Sequence, residues 1–134
     1  MATMANAPSR TVRDIMNPKL LYVGAGDPIS LARRHILAFG ITAVPVLDET
    51  HRPVGIVSLR DLERGDEVQA ASTVATVKDT DSVDDAARKL ADTDYHHLVV
   101  VDEKGIAVGM VSAVDFLRAL LGLPARHPKA FDRV

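Results

Sequence analysis

Cysteine is missing from all 134 residues. That excludes disulfides, thiolate metal sites and a cysteine nucleophile, and it fits a reducing compartment such as the cytoplasm. Aromatic residues are scarce, at 4% of the chain against 47% for hydrophobic residues as a whole. The core must therefore be built mainly from Val, Leu, Ile and Ala. Charge of one sign is not in excess. A formal charge of −2 gives no electrostatic basis for nucleic acid as the main partner, because such binders neutralise phosphates with clustered Lys and Arg. No apolar run reaches the roughly 18 residues a membrane-spanning helix needs. The first ten residues lack the apolar segment of a secretory signal and read as a tail.

What the chain does have is one short stretch used twice. Residues 54–62 read Val-Gly-Ile-Val-Ser-Leu-Arg-Asp-Leu, and residues 108–116 read Val-Gly-Met-Val-Ser-Ala-Val-Asp-Phe. Both reduce to Gly, two apolar residues, Ser, two further residues and Asp. In each, a buried strand is expected to turn into a helix with Ser58 or Ser112 at the N-cap. A helix start exposes unpaired N–H groups and suits an anion. The same pattern is also a capping box, in which Ser and Asp satisfy the helix's own N–H groups. Both readings stand on the residues alone.

Around these stretches the chain repeats a plan. Residues 20–23 and 76–77 are strand candidates. Asp27-Pro28 and Asp81 open helices whose apolar faces are Ile29, Ala32, Ile36 and Leu37, then Val83, Ala86, Ala87 and Leu90. Phe39-Gly40 closes the first helix. Residues 41–47 and 97–101 are buried strands, followed by polar turns and returning strands over 53–58 and 106–112, which makes two hairpins. Pro45 inside a strand points to an edge or to a break in the ladder. Short helices follow over 59–63, halted at Gly65, and over 113–121, with Val114, Leu117, Leu120 and Leu121 on one side. Residues 67–73 read as the link between halves. Laid over each other 54 positions apart, the halves match at Asp27/Asp81, Ala32/Ala86, Val46/Val100, Asp48/Asp102, Gly55/Gly109, Ser58/Ser112 and Asp61/Asp115. Two copies are too few for an open solenoid. A unit of about 55 residues is marginal alone, so the halves are expected to share a core.

Over residues 11–122 the chain resembles a tandem pair of cystathionine-beta-synthase (CBS) domains. The residues that carry this are Val12-Arg-Asp-Ile-Met16 before Pro18, Ala43-Val-Pro-Val-Leu-Asp48, Gly55-Ile-Val-Ser-Leu-Arg-Asp61, His97-Leu-Val-Val-Val-Asp102 and Gly109-Met-Val-Ser-Ala-Val-Asp115. The resemblance implies an α+β fold of two β-α-β-β-α repeats, over 8–66 and 67–123, packed through their sheets as a pseudo-twofold pair. The flanks 1–7 and 124–134 would be flexible tails. It also implies an adenosine-type ligand (AMP, ADP, ATP or S-adenosylmethionine), no required cofactor, sensing rather than catalysis, a homodimer, and an unknown regulated protein.

By that resemblance, Asp61 and Asp115 would hold ribose hydroxyls, since a carboxylate accepts and a diol offers two donors. Ser58 and Ser112 would meet a phosphate. Adenine would lie against Thr42, Ala43, Val44 and Pro45, which also satisfy an ordinary core strand. Arg60 would neutralise a phosphate or simply be a solvated helix residue. The second copy departs here: His96, His97, Leu98 and Val99 replace Thr42, Ala43, Val44 and Pro45. That leaves site two altered or closed, or gives it a histidine to meet a phosphate.

Adjacent histidines on a strand point to opposite faces and do not readily share a metal, so no metal site is expected. His35, His51 and His127 are scattered and need no role. A Ser/His/Asp hydrolase would need a nucleophile elbow that this chain lacks, so no enzyme is expected. The competing function is a ligand-free dimeric scaffold. The two readings divide on whether Asp61 faces a cleft or is used in capping its own helix.

Overall fold

The apolar runs become two matching hairpins. In a computed structural model, residues 10–64, 74–93 and 95–126 are described, with backbone alone at Arg60 and Arg64. Strands β2 (Ala43–Leu47) and β3 (Pro53–Ser58) form the first hairpin. Strands β5 (His97–Val101) and β6 (Ala107–Ser112) form the second. Their registers agree residue for residue. Ala43 pairs with Ser58 and Val46 with Gly55; His97 pairs with Ser112 and Val100 with Gly109. Both ladders slip at the same step, between Val46 and Leu47 and between Val100 and Val101. The repeat seen in the sequence is therefore a repeat of backbone geometry.

A parallel strand completes each sheet. β1 (Val23–Gly24) lies beside β2, and β4 (Thr76–Lys78) beside β5. The orders are β1-β2-β3 and β4-β5-β6. A parallel pair needs a crossover, supplied by α2 (Ile29–Phe39) and α4 (Val83–Ala91). The first strand starts later than the pattern over 20–23 predicts, and Pro45 gives the reason. It has no N–H to donate, so the β1–β2 ladder reaches only Val46 and Leu47. The equivalent Val99 has one, donates to the Ala75 carbonyl at 3.2 Å, and supports one more pair.

Asp27 and Asp81 do not cap their helices as expected. Pro28 is the N-cap of α2, and Ser82 is that of α4, its hydroxyl accepting from the Asp85 N–H at 3.0 Å. The aspartates close the preceding turns instead. Asp27 accepts from the Gly24 N–H at 2.6 Å and Asp81 from the Lys78 N–H at 2.9 Å. Gly40 ends α2 in the left-handed conformation, φ 63°.

Each sheet is covered by helices on one face and by the other sheet on the other, so all of β2 is buried. Val44, Val46 and Val57 pack with Ala32 and Ile36 of α2. Leu98, Val100 and Val111 pack with Val83, Ala86 and Leu90 of α4 and with Phe116 and Ala119 of α5 (Ala113–Leu120). Between the sheets, Leu47 meets Val99 and Ala107. The helix faces are narrower than expected. Leu37 is exposed rather than packed, and α5 turns Phe116 and Ala119 inward while Val114, Leu117, Leu120 and Leu121 face outward.

One short helix was not foreseen by any periodicity. α1 (Val12–Ile15) starts on a Thr11–Asp14 capping box. It packs into the core of the second repeat, not the first. Val12 and Arg13 donate to the carbonyls of Asp81 and Asp79, and Asn17 exchanges backbone hydrogen bonds with Met110. Gly109 permits this close approach: a Cβ there would stand 2.7 Å from the Asn17 carbonyl oxygen. Arg13 Nη2 reaches the buried Asp79 Oδ2 at 2.6 Å. The link over 67–73, the stop at Gly65, the tail 1–7 and most of the tail 124–134 lie outside the described residues.

Candidate ligand-binding site

The two Ser–Asp turns have the same geometry. Where β3 passes into α3 (Leu59–Arg64), Asp61 Oδ2 accepts from the Ser58 N–H at 2.8 Å and from the Ser58 hydroxyl at 3.1 Å. The Asp61 N–H returns to Ser58 Oγ at 3.4 Å. Where β6 passes into α5, the corresponding Ser112–Asp115 distances are 2.8, 3.1 and 3.2 Å. Both are reciprocal capping boxes. The capping role is therefore real, and it falls on Oδ2 of each half-buried aspartate. It fixes the direction of each carboxylate, and the capping bonds themselves fall on Oδ2. A hydroxyl has one proton. Ser58 and Ser112 commit theirs to the aspartates, which argues against the expected phosphate contact through these hydroxyls.

The start of the neighbouring strand lies beside each turn. The Thr42 carbonyl accepts from the Leu59 N–H at 3.1 Å, and the His96 carbonyl from the Ala113 N–H at 2.9 Å. Ala43 pairs with Ser58 and His97 with Ser112. The fold thus places the segment predicted for the base next to the carboxylate predicted for the ribose, once in each repeat. It also joins the two sites to each other. Thr42 Oγ1 lies 3.1 Å from His97 Nε2, a hydrogen bond that crosses between repeats. At the opposite end of the sheets, the Arg52 guanidinium donates to the Lys104 carbonyl at 3.0 Å and the Ala107 N–H to the His51 carbonyl at 3.0 Å. His51 adopts φ 64° in its turn.

The remaining site residues differ in what they present. Val44 and Leu98 are fully buried on the helix-covered faces, so main-chain groups are all they would offer a ligand. Pro45 is buried on the alternate face, toward the other sheet. Arg60 lies in the first turn of α3; its side chain is outside the description. Burial pushes the His97 pKa down, the neighbouring His96 charge pushes it further, and Asp115 pulls the other way. The net effect keeps His97 neutral near pH 7. The Thr42–His97 link was not legible in the sequence, where the two residues fall in separate copies; only the 54-residue offset that sets His97 opposite Ala43 hinted at it. Among the described residues, no group of three or more His, Asp or Glu is placed to hold a metal ion, and no helix is long and apolar enough to cross a membrane.

Comparison with known proteins agrees with this architecture. The chain is similar to the magnesium transporter MgtE of Thermus thermophilus, 34% identical over 117 residues, covering 79% of this chain but spanning 26% of the transporter. A solved structure of CBSX2 in complex with AMP is similar with a TM-score of 0.76 at 28% identity, covering 84% of this chain and 97% of that one. The cytosolic domain of the Mg2+ channel MgtE in complex with ATP gives a TM-score of 0.68 at 30% identity, covering 78% of this chain and 46% of that one. The profile of the CBS domain matches twice, over residues 12–65 and 66–122. With that match, and with two sheets sharing one register, bulge and cap, the chain belongs to the CBS domain family and carries two copies of the domain.

Proposed function

We propose that this CBS pair binds an adenosine-type ligand (AMP, ADP, ATP or S-adenosylmethionine) between its repeats and regulates a partner protein through it. The observation that carries this reading is the capped Asp61 beside the Thr42–Ala43 strand start: an oriented acceptor for a ribose diol next to main chain that can read a base edge. CBSX2 with AMP and the MgtE cytosolic domain with ATP support the ligand class. Pro45 contributes by keeping β1 from pairing alongside it. Arg60, one residue before Asp61, supplies the phosphate-neutralising charge that Ser58 does not. The role we infer is regulatory rather than catalytic, in keeping with the two CBS domains. Signalling requires that the ligand favour one arrangement of the repeats or of the dimer over another.

A scaffold role is the second reading, and the capping use of both aspartates favours it. Equilibrium dialysis of each of the four ligands against the wild type and Asp61→Ala separates the two. Retention of one ligand by the wild type, lost in the variant, supports the sensor. Retention of none leaves the scaffold.

A further inference from the structure

The repeats agree in register, bulge and cap, so side chains 54 positions apart stand in equivalent places. The agreement breaks at the strand starts. Ala43 sets a methyl beside Ser58, whereas His97 sets an imidazole beside Ser112. That ring is half-buried and tied through Nε2 to Thr42 Oγ1 of the other repeat at 3.1 Å. Its pairing partner Ser112 donates through N–H and hydroxyl to Asp115 Oδ2, so His97 stands beside the second cap. The backbone differs in the same sense. The ladder beside Val99 is closed by its hydrogen bond to Ala75, whereas β1 stops short of Pro45.

We propose that His97 occupies the ligand space on the Ser112–Asp115 side, so that this pair takes one adenosine-type ligand per chain, on the Ser58–Asp61 side. The inference rests on the nucleotide reading above and sharpens it. A base entering the second side must expel a half-buried imidazole, break the Thr42–His97 bond and open a closed ladder. A base entering the first side meets a methyl group and a ladder already interrupted by proline.

Calorimetric titration with AMP, ADP, ATP and S-adenosylmethionine tests it on four proteins beside the wild type: His97→Ala, Ala43→His, Asp61→Ala and Asp115→Ala, each checked for cooperative thermal unfolding. The expected stoichiometry is one per chain in the wild type, rising to two in His97→Ala and falling to none in Ala43→His. Asp61→Ala should abolish wild-type binding and Asp115→Ala should spare it; this pair locates the site without touching the strand starts. Two sites in the wild type, or a single site lost in Asp115→Ala and kept in Asp61→Ala, would overturn the proposal while leaving nucleotide binding intact. No heat with any protein would remove the nucleotide reading, and this inference with it.

Discussion

A carboxylate that caps its own helix has its direction fixed, and that is what a ribose site requires. In the proposed site, the cap is what would position Asp61 and Asp115 toward a ribose. His97 is the residue whose chemistry departs furthest from its counterpart. Its neutral form fits the half-buried site, so its pKa lies below the usual 6.5. As pH falls through 6.5 the unfolded chain takes up a proton that the folded chain resists, and stability is lost until the lower folded pKa is reached. Above about 6.5 the contribution is fully present. Urea unfolding of wild type and His97→Gln across pH 5–8 should show the stability difference shifting against the wild type on the acid side. Parallel pH profiles would refute the assignment. Beyond burial, His96 adds to the shift and Asp115 opposes it.

Among the elements, α1 shows most clearly what periodicity cannot reveal. Four residues are too few to display a helical face, and nothing local says which sheet they will join. Its anchor is the Arg13–Asp79 pair, in which Asp79 is 4% exposed. Arg13→Ala leaves a buried acceptor without its cation and should cost about 1–3 kcal/mol in chemical denaturation. Arg88 pairs with Asp84 at 3.2 Å, but on the exposed face of α4; Arg88→Ala should cost under about 0.5 kcal/mol. Equal losses would mean that α1 is not held as described. The hairpins and the main helices were legible because apolar runs, helical periodicity and turn residues all agreed. The cap positions were not: Asp27 and Asp81 accept from the Gly24 and Lys78 N–H groups of the preceding turns, so each helix starts one residue later than expected. Helix faces were read too wide for a related reason. Val114, Leu117, Leu120 and Leu121 form an apolar stripe, but α5 rotates to put Phe116 and Ala119 into the core.

For the whole molecule, the 54-residue offset read from the sequence proves to be the symmetry of the fold, down to the ladder slip. What that offset could not show is the crossing between copies, in which the N-terminal segment completes the second repeat and Thr42 meets His97. For the homodimer that the resemblance implies, we propose pairing through the outward Leu117, Leu120 and Leu121, which are exposed by 54–64%. Sedimentation velocity should give a dimer that Leu117→Glu with Leu120→Glu converts to a monomer; a monomeric wild type would contradict it.

The central claim is that an adenosine-type ligand binds through Asp61. Thermal unfolding with AMP, ADP, ATP and S-adenosylmethionine tests it most directly, read as the ligand-induced shift so that loss of the Asp61 cap does not confuse the comparison. A ligand at about a hundred times its dissociation constant stabilises by roughly 2.7 kcal/mol, a rise of several degrees for a chain of this size. The account predicts that rise for at least one of the four ligands in the wild type and its loss in Asp61→Ala. No rise with any of them, or a rise that Asp61→Ala leaves unchanged, would contradict it.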